Sequence, residues 1–183
     1  MSAYLTTDEL RALLDELGWR LHETGVHGRL LIVGGAAMSL GYDGRRVTRD
    51  LDAQYQPVGA IRGVAVDIAH AWGLRDNWLS SSAATFLPPL DPQDHVAFSE
   101  QPGLTVELAS SRVLLAMKLA AFRATDIPDL VQLFRDLHLH DPDEAVLITG
   151  GLYGEHAVVI RDEDEDLRLR AEDILERLES DIR

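Results

Sequence analysis

No cysteine occurs in the 183-residue sequence. That excludes disulfides, thiolate zinc sites and a cysteine nucleophile, and it fits a reducing compartment. No apolar run approaches the roughly 20 residues of a membrane span. The opening residues, MSAYLTTDELRALL, lack the basic region and apolar core of a secretion signal. A cytoplasmic protein without a membrane partner is expected. Aromatics are sparse, and Trp72 and Trp78 are not interleaved with the many basic residues that a nucleic-acid stacking platform uses. Positive charge is scarce as well: 17 Lys and Arg against 31 Asp and Glu give a net charge of -14. Such a balance opposes broad, nonspecific adhesion to DNA or to anionic membranes. There is no internal repeat, and the length suits one domain, or one domain with a small helical appendage.

What is present is concentrated. The carboxyl-terminal stretch Arg161–Arg183 is strongly acidic, whereas Arg45, Arg46 and Arg49 form a basic island beside Asp50 and Asp52. A positive patch next to paired carboxylates suits an anionic substrate that arrives with a metal. The segment from Leu30 to Tyr55 reads as a short apolar strand over Arg29–Val33, a Gly34-Gly35 turn and a short helix over Ala36–Leu40. A basic loop after the Asp43-Gly44 turn then leads to a second strand, Leu51–Tyr55. Strand side chains alternate between faces, so Asp50 and Asp52 on either side of Leu51 are expected to point the same way. Like charges held together are tolerated where a cation or a proton is shared, which makes an acidic metal site the functional idea here. A solvated surface pair is the alternative. The glycine pair matches neither G-x-x-x-x-G-K-[ST] nor G-x-G-x-x-G. It does allow a tight turn or a close approach of backbone N–H groups to a ligand.

Elsewhere the pattern is mostly structural. Thr6 and Glu9 have capping-box spacing ahead of the periodic Leu10, Leu13, Leu14, Leu17 and Leu21. Val58–Trp72 reads as a helix and Ser80–Pro92 as a loop or lid. His95–Phe98 and Leu104–Leu108 read as a hairpin around Gln101-Pro102-Gly103. Glu107, an acid between Val106 and Leu108, is either a third site carboxylate or a glutamate on the wet face of an edge strand. Ser110 or Ser111 starts the next helix, in which Lys118 sits among apolar residues and could reach an anion past them. Asp126, Pro128 and Asp129 open another helix, and Arg123 is placed to pair with either aspartate. His138 and His140 lie at a helix end and read as solvated or capping side chains. Asp141-Pro142-Asp143-Glu144 starts a further helix. The acidic last helix offers Leu167, Ile174, Leu178 and Ile182 as one contact stripe.

Taken together, Val33-Gly34-Gly35, Asp50-Leu51-Asp52 and the Glu107 strand Thr105-Val106-Glu107-Leu108 resemble the signature of the nucleotidyltransferase superfamily with the DNA polymerase beta-like fold. Ser110–Leu130, SSRVLLAMKLAAFRATDIPDL, is similar to the later motif of the small bacterial abortive-infection and toxin-antitoxin nucleotidyltransferases. The resemblance implies an α+β nucleotidyltransferase fold, a small mixed β-sheet flanked by helices. Its domain would span residues 1–137, with a carboxyl-terminal helical extension over 138–183. It also implies a Mg2+-dependent transfer of a nucleotidyl group from an NTP to an RNA such as tRNA, or to a protein, within a toxin-antitoxin or phage-defence system. Asp50, Asp52 and Glu107 would be catalytic metal ligands, and Gly34, Gly35, Arg49 and Lys118 would contact the nucleotide. Ser39, Arg45, Arg123, Asp126 and Asp129 are supporting positions. The other reading is a catalytically inactive member of the same fold, an antitoxin or interaction protein with a cognate toxin or antitoxin as partner.

Overall fold

The computed structural model describes residues 4–154 and 164–181. The chain is α+β, with one five-stranded mixed sheet and flanking helices. Backbone contacts divide it into two units, Met1–Thr85 with His95–Ala109, and Phe86–Asp94 with Ser110–Arg183.

The first unit opens with α1, Thr7–Glu23, capped as its sequence predicts. The Glu9 carboxylate accepts from the Thr6 backbone N–H at 2.8 Å and from its hydroxyl at 2.9 Å. These bonds, the backbone one first, hold the Glu9 carboxyl below its ordinary range. Then come β1 (Gly28–Ile32), the short α2 (Gly34–Ala37), which widens into a π-helical turn over Met38–Tyr42, and β2 (Leu51–Gln56). After these follow α3 (Val58–Trp72), β3 (Leu79–Ser80), β4 (His95–Gln101) and β5 (Leu104–Ala109). The strand order is β3-β2-β1-β5-β4. β1 runs antiparallel to β2 and parallel to β5, β2 is parallel to β3, and β4 and β5 form the expected hairpin.

Period-2 alternation sorts the sheet into two faces. Leu30, Ile32, Leu51, Ala53, Tyr55, Val106 and Leu108 are buried on one side, where the leucine stripe of α1 and the Ile61 side of α3 meet them. The Trp78 indole closes that core by donating to the Ala65 carbonyl at 2.8 Å. The opposite face carries Arg29, Asp52, Gln54, Thr105 and Glu107.

The Ser80–Pro92 segment, expected as a loop, holds a ladder pair at its start, Asp52 with Ser80, followed by short 3-10 turns. A two-residue strand is too short for periodicity to reveal. The hairpin turn rests directly on α1. Gly103 has φ +91°, and a Cβ there would fall on the Gly18 carbonyl oxygen and 2.6 Å from the His22 amide nitrogen. Gly103→Ala is therefore expected to cost at least ~3 kcal/mol, combining left-handed strain with displacement of a helix backbone. Urea unfolding measures it, and a loss below about 1 kcal/mol would contradict so close a contact.

The second unit packs α4 (Ser111–Ala121), α5 (Ile127–Asp136), α6 (Pro142–Tyr153) and α7 (Asp164–Asp181). In this division α4 and α5, grouped by sequence with the first 137 residues, lie with α6 and α7. Ser110 caps α4 by accepting from the Val113 N–H at 3.4 Å, and an Asp141–Glu144 capping box starts α6. Arg170 of α7 donates to the Leu119 and Ala120 carbonyls at 3.1 and 2.9 Å. A cation thereby satisfies the unpaired carbonyls where α4 ends. Leu167 and Ile174 are buried and Leu178 is partly exposed, while Ile182 lies outside the described residues. His138 takes a left-handed conformation just past α5, with φ +53°. The Tyr153 phenol donates to the Phe86 carbonyl at 2.8 Å, and burial pushes its pKa up to about 12.

Candidate functional site on the polar sheet face

Asp52 and Glu107 stand on the same polar face, with β1 between their strands. The ladders fix this. Leu31 pairs with both Gln54 and Glu107, and Asp52 lies two residues from Gln54 and so shares its face. Across two strand spacings and a two-residue offset their Cα atoms are separated by about 12 Å. The Val33 amide donates to the Asp52 carbonyl at 2.9 Å, which holds β2 against the end of β1.

The strand begins at Leu51, as the sequence predicts, with Leu51 the first ladder residue, paired with Leu79. Alternation therefore sets the direction of Asp52 and leaves Asp50 in the preceding bend, where its carbonyl accepts from the Thr48 hydroxyl at 3.0 Å.

Glu107 has a partner that sequence reasoning missed. His95 Nδ1 lies 2.9 Å from Glu107 Oε2, both side chains being about seven-tenths buried. The pairing depends on an irregularity in the hairpin. Gln101 to Ser99 pair with Leu104 to Val106, but a shift at Phe98 then sets Ala97 opposite Glu107 and His95 opposite Ala109. That extra residue brings His95 onto the face of Glu107.

At the end of β1, Gly34 has φ +63°, a conformation that favours glycine, and a Cβ there would stand 3.8 Å from Asp52 Oδ2. A Cβ on Gly35 would be 3.0 Å from the Thr48 hydroxyl. The glycine turn thus lies against both the acid strand and the basic loop. Ser39, buried, ties that loop down: its Oγ donates to the Arg46 carbonyl at 2.9 Å and is 2.7 Å from the Thr7 hydroxyl. A backbone bridge between Leu5 and Thr48 adds a second tie. Arg49 donates to the Tyr4 hydroxyl at 3.1 Å and stacks over its ring, 5.3 Å from the centroid. The Tyr4 bond raises the guanidinium pKa. Arg45 is exposed, 3.8 Å from Asp43.

Lys118, Arg123, Asp126 and Asp129 belong to the second unit. Lys118 is the chain's only lysine. Its Nζ lies 2.9 Å from Asp126 Oδ1 and 2.7 Å from Asp129 Oδ2, and all three side chains are largely buried. Both aspartates were expected within reach of Arg123; the cation they share is Lys118, and Arg123 is exposed.

Asp50, Asp52 and Glu107 supply hard oxygen donors of the type Mg2+ takes. Among the described residues, no three His, Cys, Asp or Glu side chains converge as a metal-holding group. Asp52 lies on β2 with Asp50 just before it in sequence, while the Glu107 carboxylate is engaged by His95. No described helix is long and apolar enough to cross a membrane. Compared with known proteins, the chain matches no family model, no curated sequence and no solved structure.

Proposed function

We propose that the protein is a metal-dependent nucleotidyltransferase acting on an NTP and an RNA or protein acceptor. One observation carries this reading: Asp52 stands beside the left-handed Gly34 turn on the polar face that also bears Glu107. The turn would present backbone N–H groups to the phosphates, and Arg49 and Arg45 would add countercharge. Asp50 and Asp52 would hold Mg2+, which when bound offsets phosphate charge and acidifies the attacking hydroxyl. In the transfer, the acceptor hydroxyl oxygen bonds to the α-phosphorus and the bond to the pyrophosphate bridging oxygen breaks. Pyrophosphate leaves with that electron pair. Glu107, oriented by His95, would receive the hydroxyl proton.

The test is label transfer from NTPs to total RNA and to protein in the presence of Mg2+, with native protein and with Asp50→Ala, Asp52→Ala. No transfer by the native protein, or undiminished transfer by the double variant, removes the assignment.

A second reading, a non-catalytic interaction protein of the same fold with a toxin or antitoxin as partner, draws support from the engagement of Glu107 by His95. It predicts a stable complex on purification from the native cell. Recovery only as a free monomer would count against it.

A further inference from the structure

The second unit has an apolar groove that its own helices leave uncovered. It lies between α6 and α7, has a volume of about 770 Å³, and is lined among others by Asp143, Leu147, Glu165, Arg168, Leu169 and Glu172. Leu147 is 74% exposed and Leu169 59%, the two most solvent-exposed leucines among the large apolar side chains described.

Neither is stranded by accident of helix phase. On α6, Asp143 and Leu147 are one turn apart. On α7, Glu165, Leu169 and Glu172 recur at spacings of four and three, so each helix turns one coherent strip toward the groove. Gly150 and Gly151 continue the Leu147 side of α6, and a Cβ on either would meet open space. Internal packing does not require these glycines, although each weakens a helix interior by roughly 0.5–1 kcal/mol relative to alanine.

The rim is net acidic. Arg168 is shared between Asp143 at 3.5 Å and Glu172 at 3.3 Å, so three carboxylates face one cation. A second copy of this face would set acids against acids in a chain whose net charge is already -14, an unfavourable isologous contact. A partner with basic flanks meets no such opposition.

We propose that this groove docks a basic amphipathic helix of another protein. Leucine-like anchors at i, i+3 or i+4 and i+7 would lie on Leu147 and Leu169, and flanking lysines or arginines would meet Asp143, Glu165 and Glu172. The docking is separate from nucleotide chemistry on the polar sheet face and stands or falls without it.

The full chain is titrated with three fluorescent synthetic peptides: a helical 18-mer with leucine on one face and lysine flanks, a scramble of the same composition, and a twin with glutamate for lysine. Anisotropy is read at low and moderate salt. The amphipathic basic peptide is expected to bind at least about tenfold more tightly than the other two. Leu147→Ser with Leu169→Ser should weaken it about tenfold while leaving the melting temperature unchanged, because both side chains are exposed. Glu165→Lys with Glu172→Lys should weaken it and improve the glutamate twin. Equal binding of the scramble would reduce the effect to general attraction by an acidic chain and overturn the proposal. Insensitivity to the leucine pair would overturn it too. So would self-association in sedimentation that the leucine pair abolishes, which would assign the face to a second copy.

Discussion

Lys118→Met is expected to destabilise the helical unit by about 3–5 kcal/mol, the usual cost of removing one partner from a buried ion pair. Methionine keeps the unbranched stem and most of the volume, so packing against the core of α4 is largely preserved. What disappears is the ammonium held 2.9 Å from Asp126 and 2.7 Å from Asp129. Two largely buried carboxylates then lose the ammonium they share. For a domain whose whole stability is about 5–15 kcal/mol, that is a large share. Adding Asp126→Asn and Asp129→Asn should recover most of the loss, because a neutral triad carries no uncompensated charge. Urea unfolding followed by circular dichroism decides it. A loss below about 1 kcal/mol, or no recovery in the triple variant, would mean that water already reaches the two acids.

Asp52→Asn is expected to lower the proposed nucleotidyl transfer by about 10³-fold, near 4 kcal/mol of transition-state stabilisation. The substitution is nearly isosteric on a partly exposed strand position, so the fold should be retained and unfolding free energy should fall by no more than about 1.5 kcal/mol, the scale of one polar interaction. Activity and stability therefore separate, and the pair of measurements distinguishes a site residue from a structural one. A Mn2+ titration by electron paramagnetic resonance gives an independent readout, in which the variant should lose the tighter site. Transfer reduced less than tenfold, with Mn2+ binding intact, would move the chemistry away from Asp52.

Much of the fold could be read from the sequence because its signals were local. The Thr6–Glu9 box, the leucine stripe of α1, the limits of α3 and the caps of α4 and α6 each depend on residues within one or two helical turns. The face shared by Asp52 and Glu107 was also accessible, since alternation assigns Asp52 to the non-core side of β2. Two features of the candidate site were not legible. Counting back from the Pro102-Gly103 turn without an irregularity pairs Phe98 with Glu107 and sends His95 to the core side. Only the shifted register at Phe98 turns the histidine around, and no residue type in HVAFSEQ announces it. The two-residue strand β3, which pairs Leu79 with Leu51 and Ser80 with Asp52, is too short for alternation to announce it. The start of β2 at Leu51 was read correctly, and Asp50 lies one residue before it. The Lys118 triad was partly visible: its three members were singled out, but helix spacing alone gave the aspartates to Arg123, which lies nearer in sequence.

The Lys118 site has a consequence for chemistry on the whole protein. Apart from the amino terminus, the chain carries a single primary amine, and in the folded state it is enclosed by two carboxylates. Reagents or enzymes that modify lysine reach that nitrogen only when the helical unit opens, so the rate at which an amine-reactive probe labels Lys118 reports that opening equilibrium directly. The same measurement gives the local stability that Lys118→Met is expected to remove.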